Sequence, residues 1–146
     1  MTAITTAGAG FLLAVLWFDL MFDVQVRGGE PAPEALASIA AYYRRVTIQA
    51  FPMNRLVALI MLATIASQAA QIADGDMPRG ASIASLALTL SACGLALGRT
   101  FRNGARLGSG RRSAAEQAVL ARKMLTDHLA CLGAIVAVLV LQLGWG

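Results

Sequence analysis

Asp19 and Asp23 stand four residues apart in an otherwise apolar stretch, and Asp127 and His128 stand side by side near the start of another. At helical spacing the first two share one face, one turn apart. Carboxylates beside an imidazole can exchange a proton, bind a cation or ligand, or hold a metal. Gln49, Asn54 and Arg55 open a further apolar stretch, and Arg99 closes one. An ionisable group within hydrocarbon costs roughly 2.5–3.5 kcal/mol on insertion scales, so it needs a partner or a wet cavity. Asp19, Asp23, Asn54, Arg55, Arg99, Asp127 and His128 therefore form the candidate ligand- or ion-binding set. The same residues are also the material of a structural network, with Asp19 paired to Arg55 and Asp127 to Arg99, that fixes helix register. Asp23 has a local partner at the right spacing in Arg27.

Asp19, Asp23, His128 and Cys131 are ligand types that suit zinc or another transition metal, with Cys93 at similar depth. The dense spacing of an H-E-x-x-H or paired C-x-x-C motif is missing, so no metal or other cofactor is assigned. His128 is the only histidine, which excludes a bis-histidine haem within one chain. There is no Ser-His-Asp pattern, Walker loop or dinucleotide fingerprint, and Gly104 to Gly110 lacks the strand-then-helix context of a phosphate loop. Enzymatic activity is left open.

The elements that must carry these residues are transmembrane helices. The chain has 146 residues, 58% of them hydrophobic and only 14% charged, against roughly 25% charged in an ordinary soluble domain. A bilayer core needs about 20 apolar residues in helix, and four stretches supply them, at about 3–25, 48–72, 80–98 and 126–144. The prediction is an all-α membrane four-helix bundle forming a single domain. Of the 12 Lys and Arg residues, all but Arg79 fall in or beside the first and third connections. Positive connections stay in the cytoplasm, which sets both termini outside. The net charge of +4 is thus explained by topology rather than by nucleic-acid binding, which is not expected. The N-terminus has no basic n-region, and its apolar run holds two aspartates, so it reads as a retained first helix. Both cysteines lie in apolar stretches, so a secreted disulfide framework is not supported.

Two amphipathic cytoplasmic helices are expected, one between spans one and two and one before span four. Pro33 suits a helix start, and Leu36, Ile39 and Tyr43 repeat at helical spacing. Tyr42, Tyr43, Arg44 and Arg45 would then lie at headgroup level and meet anionic lipid. Ser113 and Glu116 have capping-box spacing, and no breaker follows before Gly133, so this helix runs into the fourth span. The two halves share a plan of span, basic turn, amphipathic helix and span, which hints at a duplication. Gly94 and Gly98 form a GxxxG pair, and Gly133 continues the small-residue pattern on the fourth span. Such faces serve packing within the bundle or association with another membrane subunit. The outer two-thirds of the bundle is expected to be apolar, with buried polarity gathered at the cytoplasmic end.

The runs WFDLMFDVQV, YYRRVTIQAFPMN, RNGARLG and DHLACL, in this order around four spans, resemble an uncharacterised family of small bacterial four-helix membrane proteins. More distantly, the layout is similar to the anthrone-oxygenase-like membrane proteins. That resemblance implies Asn103 and His128 as matching positions. The chain departs from it in lacking an aromatic residue next to His128, and no catalytic role is carried over.

The first functional expectation is an accessory or interaction subunit of a larger membrane assembly, docked through its small-residue faces to a membrane-protein partner or to its own copies. The second is a small transporter or membrane enzyme that binds a ligand, proton or metal at the Asp/Arg/His layer. High Ala, Gly and Arg usage points to a GC-rich bacterium, and so to the inner membrane.

Overall fold

The computed structural model describes all residues from Met1 to Gly146. It is helical throughout: α1 (Thr2–Asp23), α2 (Pro33–Tyr43), α3 (Met53–Asp74), α4 (Arg79–Leu95), α5 (Phe101–Gly108) and α6 (Ala114–Trp145). Four helical segments are long and apolar enough to cross a membrane: Thr2–Val26, Met53–Asp74, Arg79–Gly108 and Ala114–Trp145. They close into a ring in which α1 packs on α3 and α6, and α4 packs on the same two. The short α2 and α5 pack on each other at the end of the ring that carries most of the arginines, here called the basic end.

The burial pattern of α3 is inverted relative to a helix of a water-soluble bundle. All the buried residues of α3 are polar, namely Thr64, Ser67, Gln68 and Gln71. Its Leu59 and Leu62 are 63% and 65% exposed. Exposed Trp17, Phe18, Val140 and Leu143 give α1 and α6 the same apolar exterior. Water outside would make these faces an aggregation liability, whereas hydrocarbon outside accepts them and leaves polar side chains to find partners within.

Local chemistry explains the helix ends. α3 begins at Met53, five residues later than the apolar pattern predicts, because Pro52 lacks an N–H and biases the residue before it away from helix. It stops at Gly75, which takes the left-handed conformation at φ +72° and donates its N–H to Gln71, a turn that glycine adopts without the Cβ penalty. The capping box forms as spaced: the Ser113 hydroxyl accepts from the Glu116 N–H and the Glu116 carboxylate accepts from the Ser113 N–H. α6 then runs unbroken for 32 residues.

The third span does not end at Gly98. A π-turn at Ala96–Thr100 carries the chain without a break into α5, so the arginine-rich stretch expected as a loop is helix. Its glycines have a definite task. Gly104 and Gly108 are themselves a GxxxG pair, and both are buried. A Cβ on Gly108 would lie 2.6 Å from the Arg44 nitrogen, and one on Gly104 would lie 3.1 Å from the Tyr43 ring. Here α5 touches the backbone at the end of α2, and Arg44 Nε donates to the Gly108 carbonyl at 3.0 Å. Gly94, Gly98 and Gly133, the predicted packing glycines, point their missing Cβ into open space.

This contrast is directly testable. Gly108→Ala should destabilise the folded protein in detergent by about 1–3 kcal/mol, through overpacking against Arg44. Gly94→Ala should be neutral or stabilise by up to about 1 kcal/mol, because it relieves glycine's helical cost without a clash. Thermal unfolding of both variants checks the pair.

Candidate functional site

At the basic end the chain folds α2 back against α1 and α6, and a buried carboxylate–imidazole–phenol cluster results. Asp23, the last residue of α1, has no exposed surface. One of its oxygens accepts a hydrogen bond from the Tyr43 hydroxyl at 2.7 Å. The other lies 2.6 Å from His128 Nδ1. One turn earlier, Asp19 accepts from the Tyr42 hydroxyl at 2.7 Å and faces His128 Nε2 at 3.7 Å. Its side chain keeps 14% exposure, against 7% for that of His128. Phe22 stacks on Tyr42 at 4.0 Å between ring centroids, and the Tyr43 ring lies nearly parallel to His128. The imidazole is thus held tightly at Nδ1, faced loosely by Asp19 at Nε2, and packed on one side by Tyr43.

The two contacts of His128 differ in kind. A distance of 2.6 Å requires a proton between Nδ1 and the carboxylate, and the Tyr43 hydroxyl already donates to Asp23, so Nδ1–H donating to Asp23 is the tautomer that satisfies the network. That leaves Nε2 as the free nitrogen, facing Asp19 across a gap too long for a strong hydrogen bond. A lone pair and a carboxylate cannot face each other in a low-dielectric site without something positive between them. The pair is therefore a place for one shared proton or one small cationic group. A carboxylate that fixes one imidazole nitrogen while the other is left to work is the arrangement of orienting partner and reactive group.

A second charged pair lies beside the first. Asp127 is fully buried, and both of its oxygens are engaged by the Arg99 guanidinium in a bidentate ion pair. The Thr100 hydroxyl adds a bond to Asp127 at 3.3 Å. Arg99 and Thr100 sit in the π-turn that follows α4, where the backbone is widened, and both reach the same carboxylate. Such turns interrupt helices where a side chain must be re-aimed.

Of the residues marked by the sequence, Asp19, Asp23 and His128 meet in one cluster, and Arg99 and Asp127 form the expected pair. Asn54 and Arg55 do not join them. Both are exposed, with Asn54 accepting from the Arg55 N–H at 2.8 Å and the Arg55 guanidinium lying over the Phe51 ring. Because α3 begins late, its first turn lies on the surface, and Asp19 pairs with Tyr42 and His128 rather than with Arg55. Asp23 likewise takes Tyr43 and His128 rather than Arg27. Gln49 is exposed. Cys131 is buried beside Cys93, and its thiol donates to the Ala92 carbonyl at 3.6 Å. No group of three or more His, Cys, Asp or Glu side chains has the arrangement to hold a metal ion.

Tyr42 and Tyr43 are the residues whose role the sequence pattern missed. Their rings read as headgroup anchors beside Arg44 and Arg45, yet both hydroxyls turn inward to the aspartates. The available signal was the count of unpartnered carboxylates on α1, which needed two donors.

A second polar network lies at the opposite end of the ring, where an apolar interior was expected. Gln71 and Gln142 exchange amide hydrogen bonds at 2.8 and 3.2 Å. Gln68 donates to Ser85 and Thr89, and Thr5 donates to Ser67 and Gln71. These bonds link all four long helices through neutral groups.

Nothing matches the chain among protein-family models, curated proteins or solved structures.

The phenols provide a readout. Burial first, and the neighbouring aspartates next, push both Tyr42 and Tyr43 well above the ordinary phenol range. They are the only tyrosines in the chain. A raised acid keeps its proton when folded, so this stabilisation is complete below the unfolded value of about pH 10 and is lost as the pH rises above it. At about pH 11 the folded protein should show no phenolate absorbance, and denaturation at the same pH should reveal it. Phenolate appearing in the folded protein with an ordinary midpoint would contradict the buried hydrogen bonds.

Proposed function

We propose that this chain is a multi-pass protein of a bacterial inner membrane, with its basic end in the cytoplasm and both termini outside. On this reading it takes up and releases a proton at His128 Nε2 and Asp19 as part of transport or catalysis. The observation that carries the reading is the asymmetry of the two imidazole contacts: a tight one to Asp23 that fixes the tautomer, and a loose one to Asp19 that leaves room for the proton. Asp23 and Tyr43 are positioning residues. Asp19, the more exposed carboxylate, gives the proton its way in and out. A purely structural network would be expected to close both contacts equally, as Asp127 does with Arg99.

Intramembrane carboxylates and histidines that face a bundle interior are the usual material of proton relays, and an imidazole changes charge between about pH 5 and 8 unless its surroundings move it. The likeness to anthrone-oxygenase-like proteins implies Asn103 and His128. Asn103 is buried on α5, and no catalytic role is taken from that likeness.

The test is proton binding by the purified protein in nanodiscs, followed with a pH dye and with the imidazole ¹⁵N signals of the single histidine. The wild type should take up a proton as pH falls through the histidine range. His128→Gln and Asp19→Asn should abolish or displace that uptake, while Arg111→Gln on the surface leaves it unchanged. Equal uptake by His128→Gln and wild type would show that the cluster is a static clamp.

A second reading is favoured by two glycines of the third span, one at the end of α4 and one in the π-turn that follows it. Gly94 and Gly98 are exposed and have no atom within 4 Å of where a Cβ would stand, which is the form of a face that admits another helix closely. On this reading the chain is an accessory subunit of a larger membrane assembly. It predicts co-purification with a membrane partner in mild detergent that Gly94→Leu disrupts. A stable monomer, unaffected by that substitution, would set the reading aside.

A further inference from the structure

Along the outside of α6, at the basic end, lies a groove of about 300 Å³ lined by Arg99, Val119, Arg122, Lys123 and Thr126. Three of its residues are cationic and none is acidic. Arg99 is engaged by Asp127. Arg122 gives one N–H to the Gly29 carbonyl at 2.8 Å and keeps its charge, and Lys123 has no acidic partner within ion-pair distance. A neighbouring groove along α6 contains Arg106 and Arg112 but also Glu116, which pairs with Arg112. The first groove keeps two cations without an acidic partner, Arg122 and Lys123, where the second keeps one, Arg106.

Two residue counts, on different helices, put it at one depth. Counting about 20 helical residues of hydrocarbon back from Trp145 reaches residue 126, and counting the same number forward from Arg79 reaches residue 98. Thr126 and Arg99 thus both mark the inner edge of the hydrocarbon, and Arg122 and Lys123 stand one turn beyond it, at the level of lipid phosphates. Above them the same face of α6 continues as exposed Leu129, Gly133 and Val136. At Gly133 a Cβ would meet nothing within 4 Å, which leaves a shallow notch in an otherwise aliphatic lane.

We propose that this groove and lane bind one anionic phospholipid, its phosphate held by Arg122 and Lys123 beside Thr126, whose hydroxyl donates to the Arg122 carbonyl, with an acyl chain lying along Leu129, Gly133 and Val136. The site is separate from the inward-facing Tyr42 and Tyr43. It rests on the membrane placement given above but not on the proton chemistry, so the two stand or fall by different measurements.

Native mass spectrometry of the protein in mild detergent, titrated with phosphatidylglycerol or phosphatidylcholine, tests the site. The wild type should retain phosphatidylglycerol preferentially. Arg122→Gln with Lys123→Gln should weaken that retention by about tenfold or more, as expected for two cations at an anionic headgroup. Arg122→Lys with Lys123→Arg should keep it, and Arg111→Gln should not change it. Gly133→Leu, which fills the notch, should weaken retention while the headgroup cations are intact. Equal retention of the two lipids, or no loss in the double Gln variant, overturns the proposal. So does complete displacement by millimolar inorganic phosphate, which would make a free anion the ligand. A protein dimer in place of the lipid-bound monomer, abolished by Gly133→Leu, would make a second copy the occupant and overturns it equally.

Discussion

Asp23 sits where α1 ends, without exposed surface and without a cation beside it in the chain that it uses. A carboxylate in that position must be met by donors from elsewhere in the fold, because leaving it unpaired costs several kcal/mol. The donors come from two directions, Tyr43 on α2 and His128 on α6. Meeting that demand determines much of the architecture at this end. It requires α2 to return against α1, it turns the tyrosines away from the surface, and it sets the rotation of α6 about its own axis. The Gly104 and Gly108 crossing then makes it feasible for α5 to close over the end of α2 at backbone distance.

The two ends of the ring solve the same problem with different chemistry. At one end charges are paired with charges or with phenols. At the other, amides and hydroxyls satisfy one another with no net charge, except that Gln68 Oε1 is sealed from solvent without a partner. Between them lies an apolar cluster of Ala9, Leu12, Ala92, Cys131, Ile135 and Val138. Where lipid surrounds the helices, apolar contact alone gives little preference for one register over another, since tails and side chains are equally apolar. Hydrogen bonds at both ends specify register in a way that the middle cannot.

Much of this is legible in the residues. The four long helices follow from hydropathy and length, the start of α6 from Ser113 and Glu116, and the Arg99–Asp127 pair from depth along two spans. Asp19, Asp23 and His128 follow from the rarity of ionisable groups in such spans. What escapes is pairing that depends on how short segments fold back. Arg55 matches Asp19 in depth, but depth along a helix says nothing about which way its first turn faces. The Tyr42 and Tyr43 pair fits a headgroup anchor by type and a hydrogen-bond donor by position, and only the fold of α2 distinguishes the two. The neutral network of Gln68, Gln71 and Gln142 escapes for another reason: a search for buried charge passes over amides, although in hydrocarbon an unpaired amide is also costly.

The apolar cluster between the two networks has an electrical consequence. Nearly all of a transmembrane voltage falls across the region that excludes water and ions, at about 2.3 kcal/mol per elementary charge per 100 mV for a full crossing. His128 and Asp19 lie on one side of that septum rather than within it. A proton reaching them from the basic end would cross only a small fraction of the field. Occupancy of the cluster would follow the acidity of one compartment and be nearly blind to membrane potential, unless Leu12, Ile135 and Val138 part and let water through to the glutamines beyond.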